Sequence, residues 1–481
     1  MKKYIGITIG PIFKTMSLTS SPVALWASSY IFSLLSRTIC ENLVKDGVDK
    51  NNIVTPYYDE DEPLLAENNG TGLFPDHIIF NAENYDASRM QEIIENSVVF
   101  VAEQFNLDID YLKKYVMVAG AEFEADNPIL GCGKILDSLE LATPFIAEET
   151  TNHILSLFSG DEYSKNNSLK GIPVISLFEK FQLKKTEKSF KSLEDIVGTG
   201  NGYKKYKYYA IVRSDGDSMS KIISNLQSDE DIRKFSFTCL EYCSKIAKSV
   251  EDFNGVTVYS AGDDLLAILP CESKDGKSLF EFVEKANKIF GESFDKYNQP
   301  TSLSFGITVA YYKFPLYEAL DDSYDLLETA KNNGKNRLAI RLQKHSGQAE
   351  TLVIPNGKTE KIIDILETVK KNKEQDNNGE NENDKIFLSA LHKVAMFERL
   401  FNGTENEDEI YALFKNTFDG NEHTDNVFLH QKLPEFFVGL SKDNSVKAVN
   451  EDGIAEGNPS LALCYVLRFL KFFFEKDGDG K

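Results

Sequence analysis

Little in this sequence points to a metal finger, a secreted scaffold or a membrane protein. Six cysteines are scattered over 481 residues with no CxxC pair. That leaves neither the ligand spacing of structural zinc nor the density of a disulfide framework. Cys239 and Cys243 stand four apart on an expected helix, where core packing is the simplest role, so reduced thiols, no zinc and a cytoplasmic protein are expected. The opening MKKYIGITIGP turns to Pro-Ile-Phe-Lys too soon for a signal peptide and reads as a strand; no other apolar stretch reads as long enough for a bilayer. The single tryptophan, Trp26, reads as core. Positive charge is in deficit: 53 Lys and Arg face 75 Asp and Glu, a net charge of -22. A broad electrostatic grip on nucleic acid needs clustered cations, so any RNA contact must be local or shared with partner subunits.

What is present centres on residues 206–269. YYAIV at 208–212 reads as a buried strand, with Asp215 and Asp217 following at its C-terminal end. In VTVYSAGDDLLAILP two strand-like runs flank Ala261-Gly262-Asp263-Asp264, which reads as a hairpin turn. Ile222, Ile223, Leu226, Phe235, Leu240, Cys243, Ile246 and Val250 recur at helical spacing between the two clusters. Either acidic turn alone is readily just a hairpin. Strand, helix and acidic hairpin together make the core of the palm shared by polymerases and nucleotide cyclases. Four carboxylates on one sheet edge repel unless cations neutralise them, and hard oxygen ligands suit Mg²⁺ or Mn²⁺. Two such ions would activate a hydroxyl and polarise a phosphate.

The length allows two to four domains. The expected fold is α/β (α+β), with two palms and helical domains. Residues 1–106 repeat the order strand, helix, strand, strand, helix, and read as a degenerate palm without the acidic turn. Within it Ser21-Pro22 marks the start of a long, largely buried helix. Residues 107–202 read as mainly helical, ending in a polar connector, and residues 203–348 as the catalytic palm. After its last helix Gly334 is expected to cap the C-terminus, leaving Lys335 and Arg337 to bind phosphate or simply to complement the helix dipole. Residues 349–481 read as a helical bundle, with a flexible charged loop at 370–384 and a buried aromatic helix holding Phe469–Phe474.

YIGITIGP with ALWASSYIFSLLS, then GLFPDHIIF, IVRSDGDSM, AGDD and SFGITVAYYKFPLYEALDDSYDLLETAKNNGKNRLAI stand in one order over residues 4–340. In these motifs the chain resembles the large polymerase subunit of type III CRISPR effector complexes, in the Cmr (III-B) branch. The resemblance implies two facing ferredoxin-like palm domains, a helical domain between them and a C-terminal helical bundle. It implies other Cmr subunits, crRNA and target RNA as partners, and an enzyme that turns ATP into a nucleotide second messenger when target RNA pairs. By position it makes Asp215, Asp263 and Asp264 catalytic, holding two Mg²⁺ or Mn²⁺ ions with Asp217 beside them. It places Gly216, Ser218, Gly262, Ser304, Lys331, Lys335 and Arg337 on ATP, and Asp76, Ser29 and Phe74 on the acceptor.

Three departures from the family pattern bear on function. Ala261 takes the first Gly of the usual Gly-Gly-Asp-Asp, which requires a negative φ there. Many relatives carry an HD nuclease domain; this sequence opens on the first palm and has no His-Asp dipeptide, so no DNase activity is expected. Asp76 stands where relatives often have Asn in Phe-Pro-Asn. A subset of HD-less members joins ATP to S-adenosylmethionine (SAM), and a carboxylate in the acceptor pocket suits its ammonium and sulfonium. The product implied is then SAM-AMP, with cyclic oligoadenylate as the alternative. Asp76 as a plain turn cap, a stand-alone nucleotide cyclase and a silent scaffold subunit remain open at this point.

Overall fold

A computed structural model describes residues 1–142, 192–197 and 203–475, apart from 18, 67–69, 106, 376–381, 405, 419–426, 444–445, 451–452 and 456–457. Most of the expected connector and much of the expected helical region 107–202 lie outside the described residues.

The first unit is built from β1 (Lys2–Gly10), the helix Pro22–Lys45, β2 (Ile53–Thr55), β3 (His77–Asn81), the helix Met90–Phe105 and β4 (Met117–Ala125). Its sheet runs β2-β3-β1-β4 with every pairing antiparallel, the ferredoxin-like order. Ser21 accepts a hydrogen bond from the Ala24 N–H and Pro22 opens the long helix, as expected. That helix is long and apolar enough to cross a membrane, but it is buried inside the protein over most of its length. Trp26 is fully buried within it and donates from Nε1 to the Gly70 carbonyl at 2.6 Å.

β4 is a correction, because the sequence reading placed helix beyond residue 106. Its Met-Val-Ala-Gly-Ala-Glu-Phe-Glu-Ala gives few bulky residues to alternate, so the period-2 signal is faint. Small size is what the site requires: a Cβ on Gly120 would stand 3.1 Å from the Gly6 carbonyl of β1. The helix Pro128–Ala142 then lies so close to β1 that a Cβ on Gly6 would collide with Cys132 Sγ at 2.3 Å.

The second unit repeats the order: β5 (Tyr208–Asp217), the helix Asp229–Asp252, β6 (Val256–Ala261), β7 (Asp264–Pro270), the helix Leu279–Phe294 and β8 (Ser302–Tyr311). These strands lie β8-β5-β7-β6, the same ferredoxin-like arrangement. The helix Leu316–Asn332 then crosses to β9 (Arg337–Gln343), which pairs parallel with β8. Gly334, at φ +113, follows the helix end as expected.

The expected helical bundle from residue 349 needs a second correction. β10 (Ala349–Pro355), β11 (Lys447–Asn450) and β12 (Gly453–Ala455) extend the sheet to eight strands. Helices do follow, but the charged tract is not simply a loop: Thr359–Gln375 and Glu382–Met396 are helical on either side of 376–381. The helix Pro459–Phe474 buries Phe469, Phe472, Phe473 and Phe474. All six cysteines are free and buried.

One helix ties the two units together. At the start of Asp229–Asp252, the Asp229 carboxylate accepts from Lys2, Tyr4 and Asn81 of the first sheet. One turn on, the buried Arg233 donates to the carbonyls of Lys50, Ile53 and Tyr58. Its guanidinium lies 4.4 Å from the Tyr57 ring. These charge-assisted bonds fix the faces that the two sheets present to each other.

Candidate active site

The β6–β7 hairpin pairs Ala261 with Asp264, leaving Gly262-Asp263 as a two-residue turn. Gly262 has φ +66, and Ala261 is not among the residues with positive φ. Glycine at the first central position is the demand of a type II′ hairpin turn, and Ala261 carries no backbone cost. β5 pairs with β7 as far as Ser214 opposite Leu265, so one further step sets Asp215 beside Asp264. The pleat therefore turns both carboxylates to one face. Asp263 belongs to the other side, against Gly216, whose backbone N–H donates to it.

The three carboxylates interact strongly. Burial, then the Asp215 charge, push the Asp263 carboxyl up to about 7. Asp264 keeps part of its surface open to a cavity, yet crowding by the cavity walls and the charges of Asp263 and Asp215 raise it well above the carboxylate range. Lys331 Nζ is 2.8 Å from Asp215 Oδ2. Burial alone would lower the Lys331 pKa; the bond and charge of Asp215 outweigh that and raise it. Crowded carboxylate oxygens, paired among the described residues with Lys331, are a donor set that fits Mg²⁺ or Mn²⁺.

Several expected ligands have other work. Asp217, two residues beyond Asp215 on the same strand face, is 3% exposed. Its oxygens accept from the Ser302 and Ser304 hydroxyls and from the Asn336 N–H at 2.8 Å, so it pins β5 to β8 and to the approach to β9. That corrects its expected place among the metal ligands, and Ser304, fully buried on Asp217, is likewise corrected as an ATP contact. Gly216 is small because Asp263 needs the room, and Gly262 serves the turn. Ser218 sits at φ +62 before a short helix and lines neither cavity described below. Lys335, exposed at φ +61, and Arg337, whose guanidinium packs over Gly334, lie beyond the helix end, whereas Lys331 pairs with Asp215 of the carboxylate cluster.

Two cavities lie between the sheets, on either side of the acidic turn. The larger, about 580 Å³, has Asp264, Ala261, Tyr259 and Arg213 on the second unit and Ser29, Ser33, Phe74 and Asp76 on the first. All three expected acceptor residues therefore share one cavity with Asp264. The smaller, about 310 Å³, holds Asp263 and Cys239 and shares Phe74, Pro75 and Asp76 with the first. The Phe-Pro-Asp turn is thus the partition, braced by the Phe74 N–H donating to Ser33 Oγ at 2.9 Å. Burial raises the Asp76 pKa, against a lowering from His77, and Glu140 adds to the rise. Ligand atoms of Asp76, His77 and Glu140 lie within 4.8 Å of one another, with His77 Nε2 3.4 Å from Glu140 Oε1. Sequence reasoning missed Arg213, Tyr259, Lys114 and Glu140 in the larger cavity. The period-2 rule could have found Arg213, two residues before Asp215 on one strand face.

Known proteins agree with both halves of this geometry. The second palm domain of Cas10/Cmr2 matches residues 208–339, and the N-terminal region of the CRISPR-associated protein Cmr2 matches residues 4–110. The chain is 35% identical over 170 residues to the CRISPR system Cmr subunit Cmr2 of Pyrococcus furiosus, covering 29% of this chain and 19% of that protein. The fold superimposes on a chain of the type III-B Cmr-beta apo state with TM-score 0.61 and 12% identity, covering 97% of this chain and 81% of that one. It also matches Csm1 in T. onnurineus, with TM-score 0.60, 15% identity, and coverage of 98% and 69%. At such identities the structural likeness is one of fold. The two matched sequence regions fall on the two ferredoxin-like units whose facing sides hold the carboxylates, and the chain belongs to the Cas10/Cmr2 family of CRISPR-associated proteins.

Proposed function

We propose that the chain is the nucleotidyltransferase subunit of a type III-B CRISPR effector complex, acting when target RNA pairs with crRNA, and that it joins ATP to SAM to give SAM-AMP. The observation that carries this reading is the 580 Å³ cavity, which is lined by Asp264 of the second unit and Asp76 of the first. A hydroxyl of the acceptor attacks the α-phosphorus of ATP and pyrophosphate leaves. Asp215, Asp263 and Asp264 would hold Mg²⁺ or Mn²⁺, which when bound supplies a polarised phosphate and an activated hydroxyl. Lys331, beside Asp215, is placed to meet phosphate oxygens, and Asp76 with Glu140 gives the first unit a negative wall. That wall attracts an ammonium or sulfonium and repels a second triphosphate.

A second reading, cyclic oligoadenylate from ATP alone, is favoured by Lys14, Lys114 and Arg213 on the same cavity. Two facing sheets in one chain argue against a stand-alone cyclase, which needs one palm and a self-dimer. The deciding experiment is mass analysis of products after the assembled complex meets ATP, SAM, Mn²⁺ and target RNA. An adduct of the SAM and AMP masses is expected. Oligoadenylates alone would overturn the SAM assignment, and no nucleotide product would overturn the enzyme.

A further inference from the structure

We propose that Arg213 is the anion-binding residue of the larger cavity, holding a carboxylate or phosphate group of the acceptor molecule. The inference rests on the reading of this cavity as the acceptor site and adds what reads the far end of the ligand.

Arg213 is 7% exposed and lines the cavity. Its Nε donates to Ser323 Oγ at 3.2 Å and its Nη1 to the Tyr259 hydroxyl at 3.3 Å. Among the described residues, Nη2 has no protein partner and no carboxylate stands within ion-pair distance of the guanidinium. Every other guanidinium or ammonium buried to this degree here is compensated: Lys205 pairs with Glu272 at 2.6 Å, and Arg233 binds three carbonyls. A buried cation held by two neutral hydroxyls and two aromatic rings, with no carboxylate in ion-pair contact, gains from a ligand that brings the opposite charge.

The surroundings fit that role. The rings of Phe13 and Tyr324, one from each unit, stand 5.9 Å from the guanidinium. Arg213, Leu266 and Tyr259 form one cross-strand row on the sheet face that also carries Asp215. Residues two apart on a strand are about 6.6 Å apart. An acceptor anchored at Arg213 therefore has its reacting hydroxyl within reach of the carboxylates. The Tyr259 hydroxyl accepts from Arg213 and, pushed up to about 12 mainly by burial, keeps its own proton as a second donor. Lys14 and Lys114 also line the cavity but are exposed, so water already solvates them. Asp76 and Glu140 line the same cavity from the first unit, so it offers groups of both signs, and a zwitterionic ligand suits it.

Calorimetry on the assembled complex tests this without turnover. If the anion is the SAM carboxylate, the wild type binds SAM roughly ten- to a hundredfold more tightly than decarboxylated SAM. Arg213→Met should erase that preference, and Arg213→Lys should keep part of it. If the anion is a phosphate, the wild type takes up two ATP per chain and Arg213→Met takes up one. Equal loss of SAM and decarboxylated SAM in Arg213→Met would make the residue structural and overturn the proposal. Should that variant fail to assemble, the wild type alone decides: no preference for SAM over its decarboxylated form, together with one ATP per chain, overturns it. Arg213-dependent binding in a complex that makes no SAM-AMP would retire the proposed product and leave this assignment standing.

Discussion

Asp263 occupies the space that a side chain on Gly216 would need: a Cβ there would stand 2.6 Å from the Asp263 Oδ2 and 2.8 Å from Met219 Cγ. Of the three carboxylates, Asp263 is thus the one set by backbone geometry, since the Gly216 N–H also donates to it. Gly216→Ala should displace that carboxylate and lower product formation by about a hundredfold, the effect of misplacing a reacting group by roughly 1 Å. Overpacking of this kind costs about 1–3 kcal/mol, so the complex should still assemble. Unchanged activity in an assembled Gly216→Ala complex would mean that Asp263 does not act in the chemical step.

Asp217 and Asp264 should separate cleanly by phenotype. Asp264→Ala removes a like charge from the cluster, so product formation should be lost while the melting temperature holds or rises. Asp217→Ala strips the acceptor from two serine hydroxyls and the Asn336 N–H, at a cost of about 2–4 kcal/mol. Its melting temperature should fall, and the loss of activity should track the loss of folded protein. A stable, inactive Asp217→Ala would return Asp217 to the metal ligands.

The pH response follows from the raised Asp263 carboxyl. Its ordinary value is 3.8 and its value in the fold is about 7, so between these the folded chain holds a proton that the unfolded chain releases. Stability of the metal-free protein should therefore decline as pH rises through that window and level off above it. Cation binding needs the ionised form, so Mn²⁺ affinity should climb up to about pH 7 with proton release, and Asp263→Asn should reduce that release to the share that the raised Asp264 contributes. Titration calorimetry in buffers of different ionisation enthalpy measures it. Mn²⁺ affinity flat from pH 5.5 to 8 would remove Asp263 from the ligands.

Local signals carried much of the site. Hydrophobic periodicity placed β5, the following helix and the hairpin, and a Gly-Asp-Asp turn between two apolar runs is a strong short-range cue. Neither β4 nor β10 to β12 was legible, for different reasons. β4 is made of small residues selected for close approach to Gly6, whereas β11 pairs with a strand far away in sequence that no local period reports. Asp215 and Asp217 lie on one strand face, and nothing near them distinguishes a cluster carboxylate from one capped by serines. That distinction comes from Ser302 and Ser304 on β8, whose register against β5 only the folded sheet supplies.

Asp76 is the residue proposed to choose between the two products. It lies on the partition between the cavities, its carboxyl raised mainly by burial, with Glu140 nearby adding to the rise. A cationic ligand would relieve both costs at once, whereas a second triphosphate would add to them. A charge-assisted contact of this kind is worth about 1.5–3 kcal/mol. Asp76→Asn keeps the shape and removes the charge, so SAM use should fall roughly ten- to a hundredfold while ATP binding on the second unit changes little. Oligoadenylates should then appear, because the acceptor side no longer repels phosphate. SAM affinity in the wild type should also strengthen as pH rises through the raised Asp76 titration, and that rise should vanish in Asp76→Asn. If Asp76→Asn binds SAM as the wild type does by calorimetry, Asp76 caps the Phe-Pro-Asp turn and the acceptor must be read by other groups.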